Sequence, residues 1–156
     1  MSKPATLRVS YEIEPARHWL EKNDEVLAVF EFGVSPLDSV DSRHVPVSLP
    51  QLDDEPRVEV WQCSGPIKTG RWDALRFAQG EQLTMGHIAL DLRHSGDVRA
   101  ASRKAYDILQ SYLQQSPHQW PLKIWNYIPG INLGTGDKEL YRQFCLGRAD
   151  AVLIDP

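Results

Sequence analysis

The chain is poor in sulfur and has no long apolar run. Its 156 residues include two cysteines, Cys63 and Cys145. Neither belongs to a CxxC pair or lies near a histidine at zinc-ligand spacing, and two thiols do not make a disulfide framework. Reduced thiols, no metal site and a cytoplasmic location are therefore expected. The apolar stretches are far shorter than the ~20 residues of a membrane-spanning helix, and the first ten residues lack the apolar core of a secretory signal, so no membrane association is predicted. Neither GxxxxGK[ST] nor GxGxxG is present, which removes the common phosphate- and dinucleotide-binding loops, and no cofactor is implied. The histidines at 18, 44, 87, 94 and 118 are scattered, and no Ser/His/Asp set can be assembled from their order. A net charge of −4 is the wrong sign for displacing counterions from nucleic-acid phosphates.

What is present is an ordinary globular balance, 42% hydrophobic and 24% charged, in a length that fits one domain over residues 1–156. Charge is unevenly placed. Up to Gly96 there are ten Lys/Arg against fifteen Asp/Glu, whereas Asp97 to Ala149 carries seven against four. A small acidic ligand suits that basic segment.

Alternation of Leu7, Val9, Tyr11 and Ile13 with polar residues predicts a half-buried strand over 6–13. The apolar, β-branched run Val26–Val34 reads as a central strand. Residues 36–56 form a long Pro- and Asp-rich loop with room for a short edge strand at 45–49. Strand patterns return at 57–63, 74–79 and 82–92, predicting an antiparallel meander, with His87 the one histidine expected inside. Asp97 then caps an amphipathic helix with Val98, Ala101, Ala105, Ile108, Leu109 and Tyr112 on one face. PLKIWNYI, residues 121–128, predicts a further strand. A second helix, capped by Asp137, is expected from Lys138 to about Ala149. Its apolar stripe is Leu140, Phe144, Gly147 and Ala151, with Gly147 allowing a close approach to the sheet. Strands first, then helix, strand, helix, predicts an α+β two-layer domain: a mixed sheet with two helices on one face.

Two stretches are not explained by packing alone. In IWNYIPGIN, Asn126 sits among apolar neighbours on its own face, so it needs partners if buried; fixing the adjacent Gly-rich loop is one role and ligand binding another. In YRQFCLGRA, Tyr141, Cys145 and Arg148 form a stripe where an ordinary surface helix carries Glu or Lys. Arg offers a fork matched to a carboxylate and Tyr a hydroxyl at an apolar edge, whereas Cys145 has no activating base in view. Such a stripe suits an anion pocket or a subunit interface.

IWNYIPGIN with its following glycines, then ELYRQFCLGRA, supported upstream by EVWQCSGPIKTGRWDALRFAQGEQLTMGHIAL, resembles the chorismatase family over about residues 26–149. Chorismatases hydrolyse chorismate to a dihydroxycyclohexadiene carboxylate or a hydroxybenzoate. The resemblance implies a Rid/YjgF-like fold, also described as chorismate-mutase-like. It further implies that this chain corresponds to the N-terminal of two similar halves, with the catalytic acid associated with the C-terminal one. The catalytic residues are therefore unassigned, and the chain is expected to be inactive alone. Its sheet would lack closing strands, to be covered by copies of itself (a trimer) or by a separately encoded C-terminal half. Arg148, Tyr141 and Asn126 are the expected contacts for a small, chorismate-like carboxylate. Two alternatives stand beside this reading: a non-catalytic carboxylate-binding or scaffold protein of the same fold, and a Rid-type imine deaminase.

Overall fold

The computed structural model describes residues 7–22, 24–35, 40–52, 55 and 57–151. Contacts divide the chain into two compact units, residues 1–72 with 76–87, and residues 73–75 with 88–156.

The first unit contains β1 (Leu7–Glu12), α1 (Ala16–Lys22), β2 (Val26–Phe32), β3 (His44–Val47), β4 (Val58–Cys63) and β5 (Lys68–Trp72). It also holds all but the end residues of β6 (Leu75–Gln79) and β7 (Thr84–Ile88). The strands form two sheets, ordered β1-β4-β2-β3 and β5-β6-β7. The first is mixed, since β4 runs antiparallel to β1 and β2 while β3 runs parallel to β2. β2 is the central strand that its composition predicts, buried from Val26 to Phe30. Val26, Leu27, Val29 and Val60 are the largest fully buried side chains, each stabilising the fold by about 1.5–3 kcal/mol relative to exposure. A register shift between Val26 and Ala28 lets Leu27 join Cys63 and Ala78 in one cluster. Ala28, Phe30, Val45 and Val47 form a second cluster, and α1 contributes Ala16 to a third with Val26, Val29, Val58 and Val60. Pro46 is tolerated because β3 is an edge strand.

Three expectations for this unit change. β4 pairs with β1 and β2, outside the meander predicted for it, and β5, hidden behind Gly70 in the sequence, takes its place beside β6. The apolar face of β1 is not buried: Leu7, Val9, Tyr11 and Ile13 are 41–68% exposed, since alternation provides an apolar face but burial requires another element packed over it. His87 is half-buried with an Nδ1 that is shut off from solvent and makes no hydrogen bond among the described residues. Burial first, then the positive charges of Arg76 and His44, push its pKa down to about 4.

The second unit contains α2 (Leu92–Ser95), α3 (Val98–Leu113) and α4 (Leu140–Ala151). Asp97 caps α3 as expected, its side chain accepting from the Ala100 N–H at 2.8 Å. The buried face of α3 is Val98, Ala101, Ser102, Ile108 and Tyr112. Among the described residues, 121–128 join no sheet, contrary to the strand predicted there, because alternation favours an extended backbone but a strand also needs a partner edge. Asp137 does not cap α4. It lies in a 3-10 turn, Gly136–Lys138, and the helix begins after Glu139, whose carbonyl accepts from the Gln143 N–H at 3.0 Å. Phe144, Gly147 and Ala151 are the buried stripe of α4. The surface Gly147 meets is α3 and not a sheet: a Cβ there would collide with the Arg99 carbonyl oxygen and stand 2.9 Å from Ser102 Cβ. Among the described residues the whole is α+β, with two sheets and four α-helices, and no helix is long and apolar enough to cross a membrane.

Two outcomes follow from this packing. Gly147→Ala forces α3 and α4 apart and lowers unfolding stability by roughly 3 kcal/mol, read from denaturant midpoints. His87 binds a proton more readily unfolded than folded, so its contribution to stability falls as pH drops from 6.5 toward about 4 and is level below that. His87→Gln removes on the order of 3 kcal/mol of this acid sensitivity, measured as the difference between the two proteins' stability profiles across that window.

Candidate functional site

The close approach at Gly147 sets the position of the next residue. Arg148, in the last turn of α4, lies with its guanidinium carbon 5.7 Å from the centre of the Tyr106 ring on α3. The same ring packs against Phe144, centre to centre 6.5 Å at 55°. The extended segment supplies the opposite wall. Asn126 meets the Tyr106 hydroxyl through its amide nitrogen at 3.4 Å and its amide oxygen at 3.5 Å, both at the long end of hydrogen bonding. Lys123 places its ammonium 4.8 Å from the centre of the Trp125 ring. Together Tyr106, Lys123, Asn126 and Arg148, with Pro121, Leu122 and Ile124, line a cleft of about 270 Å³, close to the lower limit of ordinary small-molecule sites.

The charge arrangement distinguishes this cleft. The other four arginines of the second unit are each paired with an aspartate: Arg93 with Asp91, Arg99 with Asp150, Arg103 with Asp107 and Arg142 with Asp137. Among the described residues no carboxylate pairs with Arg148 or Lys123; both rest on aromatic rings. A ring face attracts a cation through its quadrupole yet leaves the net charge in place. The cleft therefore presents two positive charges, a hydroxyl and an amide, groups whose chemistry suits a carboxylate.

A larger depression of about 450 Å³ in the first unit, lined by Asp24, Asp41, Ser42, Arg43, Ile67 and Thr69 among others, differs in kind. Its arginine is engaged: Arg43 bonds to Asp41 at 2.9 Å and to the Leu20 carbonyl at 2.7 Å. Burial alone would raise the Asp41 carboxyl, but the Arg43 hydrogen bonds and charge outweigh it and hold the pKa below its usual value. With its cation neutralised and a second acid beside it, this depression offers an anion little.

Of the residues the sequence singles out, the structure brings Arg148 and Asn126 together and leaves Tyr141 apart. Tyr141 is 56% exposed and does not line the cleft. Cys145 is half-buried and also outside it. Asn126 faces Tyr106 and not the Gly-rich loop. Sequence reasoning missed Tyr106 and Lys123. Tyr106 borders the apolar face of α3 and Lys123 sits in an alternating run, so each passes for an ordinary amphipathic position.

Residues 59–155 match the family model described as chorismatase FkbO/Hyg5-like, N-terminal. A chorismatase of Streptomyces hygroscopicus is 29% identical over 137 residues, covering 85% of this chain and 39% of that protein. A 3-hydroxybenzoate synthase of the same organism is 30% identical over 98 residues, covering 62% of this chain and 28% of that protein. A chorismatase crystal structure aligns with a TM-score of 0.77 at 27% identity, over 94% of this chain and 45% of the other. The chain thus spans less than half the length of these relatives.

Because Tyr141 stands outside the cleft, Tyr141→Ala changes the affinity for benzoate, followed by NMR titration, by less than about twofold. A larger loss would place its hydroxyl in the anion site.

Proposed function

The chain belongs to the N-terminal domain family of the FkbO/Hyg5-like chorismatases, and on that premise we propose that it binds a chorismate-like carboxylate at Arg148. It does so as the binding part of a chorismate-hydrolysing assembly. The observation that carries the reading is the contrast in the second unit, where four arginines are held by aspartates and Arg148 is held by the Tyr106 ring. Asn126 and Lys123 add a neutral donor and a second charge beside it.

Hydrolysis of the enolpyruvyl ether requires an acid to protonate the methylene, after which water adds to the oxocarbenium-like carbon and pyruvate leaves. No acidic side chain lines the cleft among the described residues. In this reading the proton donor comes from elsewhere, from a C-terminal half or another copy of the chain. Trp120 and Leu122, 76% and 82% exposed next to the cleft, support cover by such a partner. The second reading, a non-catalytic carboxylate-binding or scaffold protein, draws on the same cleft and differs only in having no turnover in any assembly. An imine deaminase of the Rid type would use the same guanidinium on an imino acid.

Calorimetric titration of the chain with chorismate, beside a coupled assay for pyruvate, tests this. The expected result is binding without pyruvate release, with affinity lowered roughly tenfold or more in Arg148→Gln. Equal affinity in the two proteins, or no binding by the unaltered chain, rejects the site. Pyruvate release by the chain alone rejects the division of labour, and consumption of an imino acid instead of chorismate binding favours the deaminase.

A further inference from the structure

The cleft contains one side chain that touches two of its three proposed ligand-binding groups, Arg148 and Asn126. Tyr106 offers its ring face to Arg148 at 5.7 Å and its hydroxyl to Asn126 at 3.4 Å and 3.5 Å. Its ring rests against Phe144, which is 8% exposed, so the packing of α3 on α4 anchors it. We propose that Tyr106 is the positioning residue of the cleft, setting the Arg148 guanidinium and the Asn126 amide in place before a ligand arrives. The inference rests on the reading that Arg148 receives a carboxylate, and it adds why that arginine is ready to do so.

A long arginine at the end of a helix is free to sample many rotamers, and a ligand that must order it loses affinity. An aspartate partner would order it but would also neutralise it, as Asp150 does for Arg99. An aromatic ring orders the guanidinium and leaves its charge available. The hydroxyl has a second task. It can donate to the Asn126 oxygen or accept from its nitrogen, so the amide can present either its NH2 or its carbonyl toward the cleft while staying attached to Tyr106. Tyr106 therefore acts through Arg148 and Asn126 and makes no chemical step itself.

Separating ring from hydroxyl tests the proposal. Tyr106→Phe keeps the ring and loses the Asn126 contact; Tyr106→Leu loses both. In chorismate titrations the Phe variant is expected to bind within about threefold of the unaltered chain, and the Leu variant roughly tenfold more weakly. In the ligand-free protein, the Arg148 Nε–Hε signal is expected to show an upfield ring-current shift that persists in Tyr106→Phe and disappears in Tyr106→Leu. An unshifted Arg148 signal in the unaltered chain overturns the proposal, even if the Leu variant fails to fold and even if chorismate does not bind. So does a folded Leu variant that binds as tightly as the unaltered chain when Arg148→Gln does not. If Arg148→Gln binds normally while the ring-current shift is present, the carboxylate reading fails and the positioning of Arg148 by Tyr106 stands.

Discussion

The second unit depends on one steric fact, the contact of Gly147 with the backbone of α3 at Arg99 and the Ser102 side chain. Two helices that close to each other carry the side chains on either side of the contact into reach of the facing helix. Phe144, one turn earlier on α4, meets the Tyr106 ring, and Arg148, one residue later, lies over it. Arg99 and Asp150 tie the same helices together from the exposed side at 2.7 Å. The cleft is thus a consequence of helix packing as much as of the residues that line it. Any side chain at position 147 would move its walls before it changed its chemistry.

Charge placement follows from that packing. Aspartates engage the other arginines of the unit, three of them within six positions along the chain and the fourth across the helix pair. Arg148 reaches an aromatic ring instead. An exposed ion pair contributes little to stability, so the effect of these pairings is mainly on where net positive charge survives. Within the cleft it survives at Arg148 and Lys123, which line the same concavity. Both side chains belong to the C-terminal segment whose Lys and Arg outnumber its Asp and Glu.

The first unit shows the other side of the same physics. Its apolar clusters centre on β2 and β4, which have a paired strand on either side, with additions from the edge strand β3, from Ala16 of α1 and from Ala78 of β6. β1 has the same alternation as a half-buried strand and exposes it, because burial depends on what packs over a face and not on the face alone. His87 is the converse: a polar ring drawn into partial burial without a partner for Nδ1 among the described residues, kept neutral by the surroundings that hold it.

The sequence alone determined the features that depend on neighbours along the chain: the α+β class, the central position of β2, the Asp97 cap, the apolar stripes of α3 and α4, and the family to which the segments around Asn126 and Arg148 point. Local periodicity encodes these directly, since capping and amphipathicity act within a few residues. Tertiary structure decided the rest: among the described residues, the division of seven strands into two sheets and the lack of a sheet partner for residues 121–128, and with them the exposure of β1, the docking of Gly147 on α3, and the choice of Tyr106 over Tyr141 as the companion of Arg148. Tyr106 and Arg148 lie on different helices, and no spacing rule joins residues that only the approach of two backbones brings within reach.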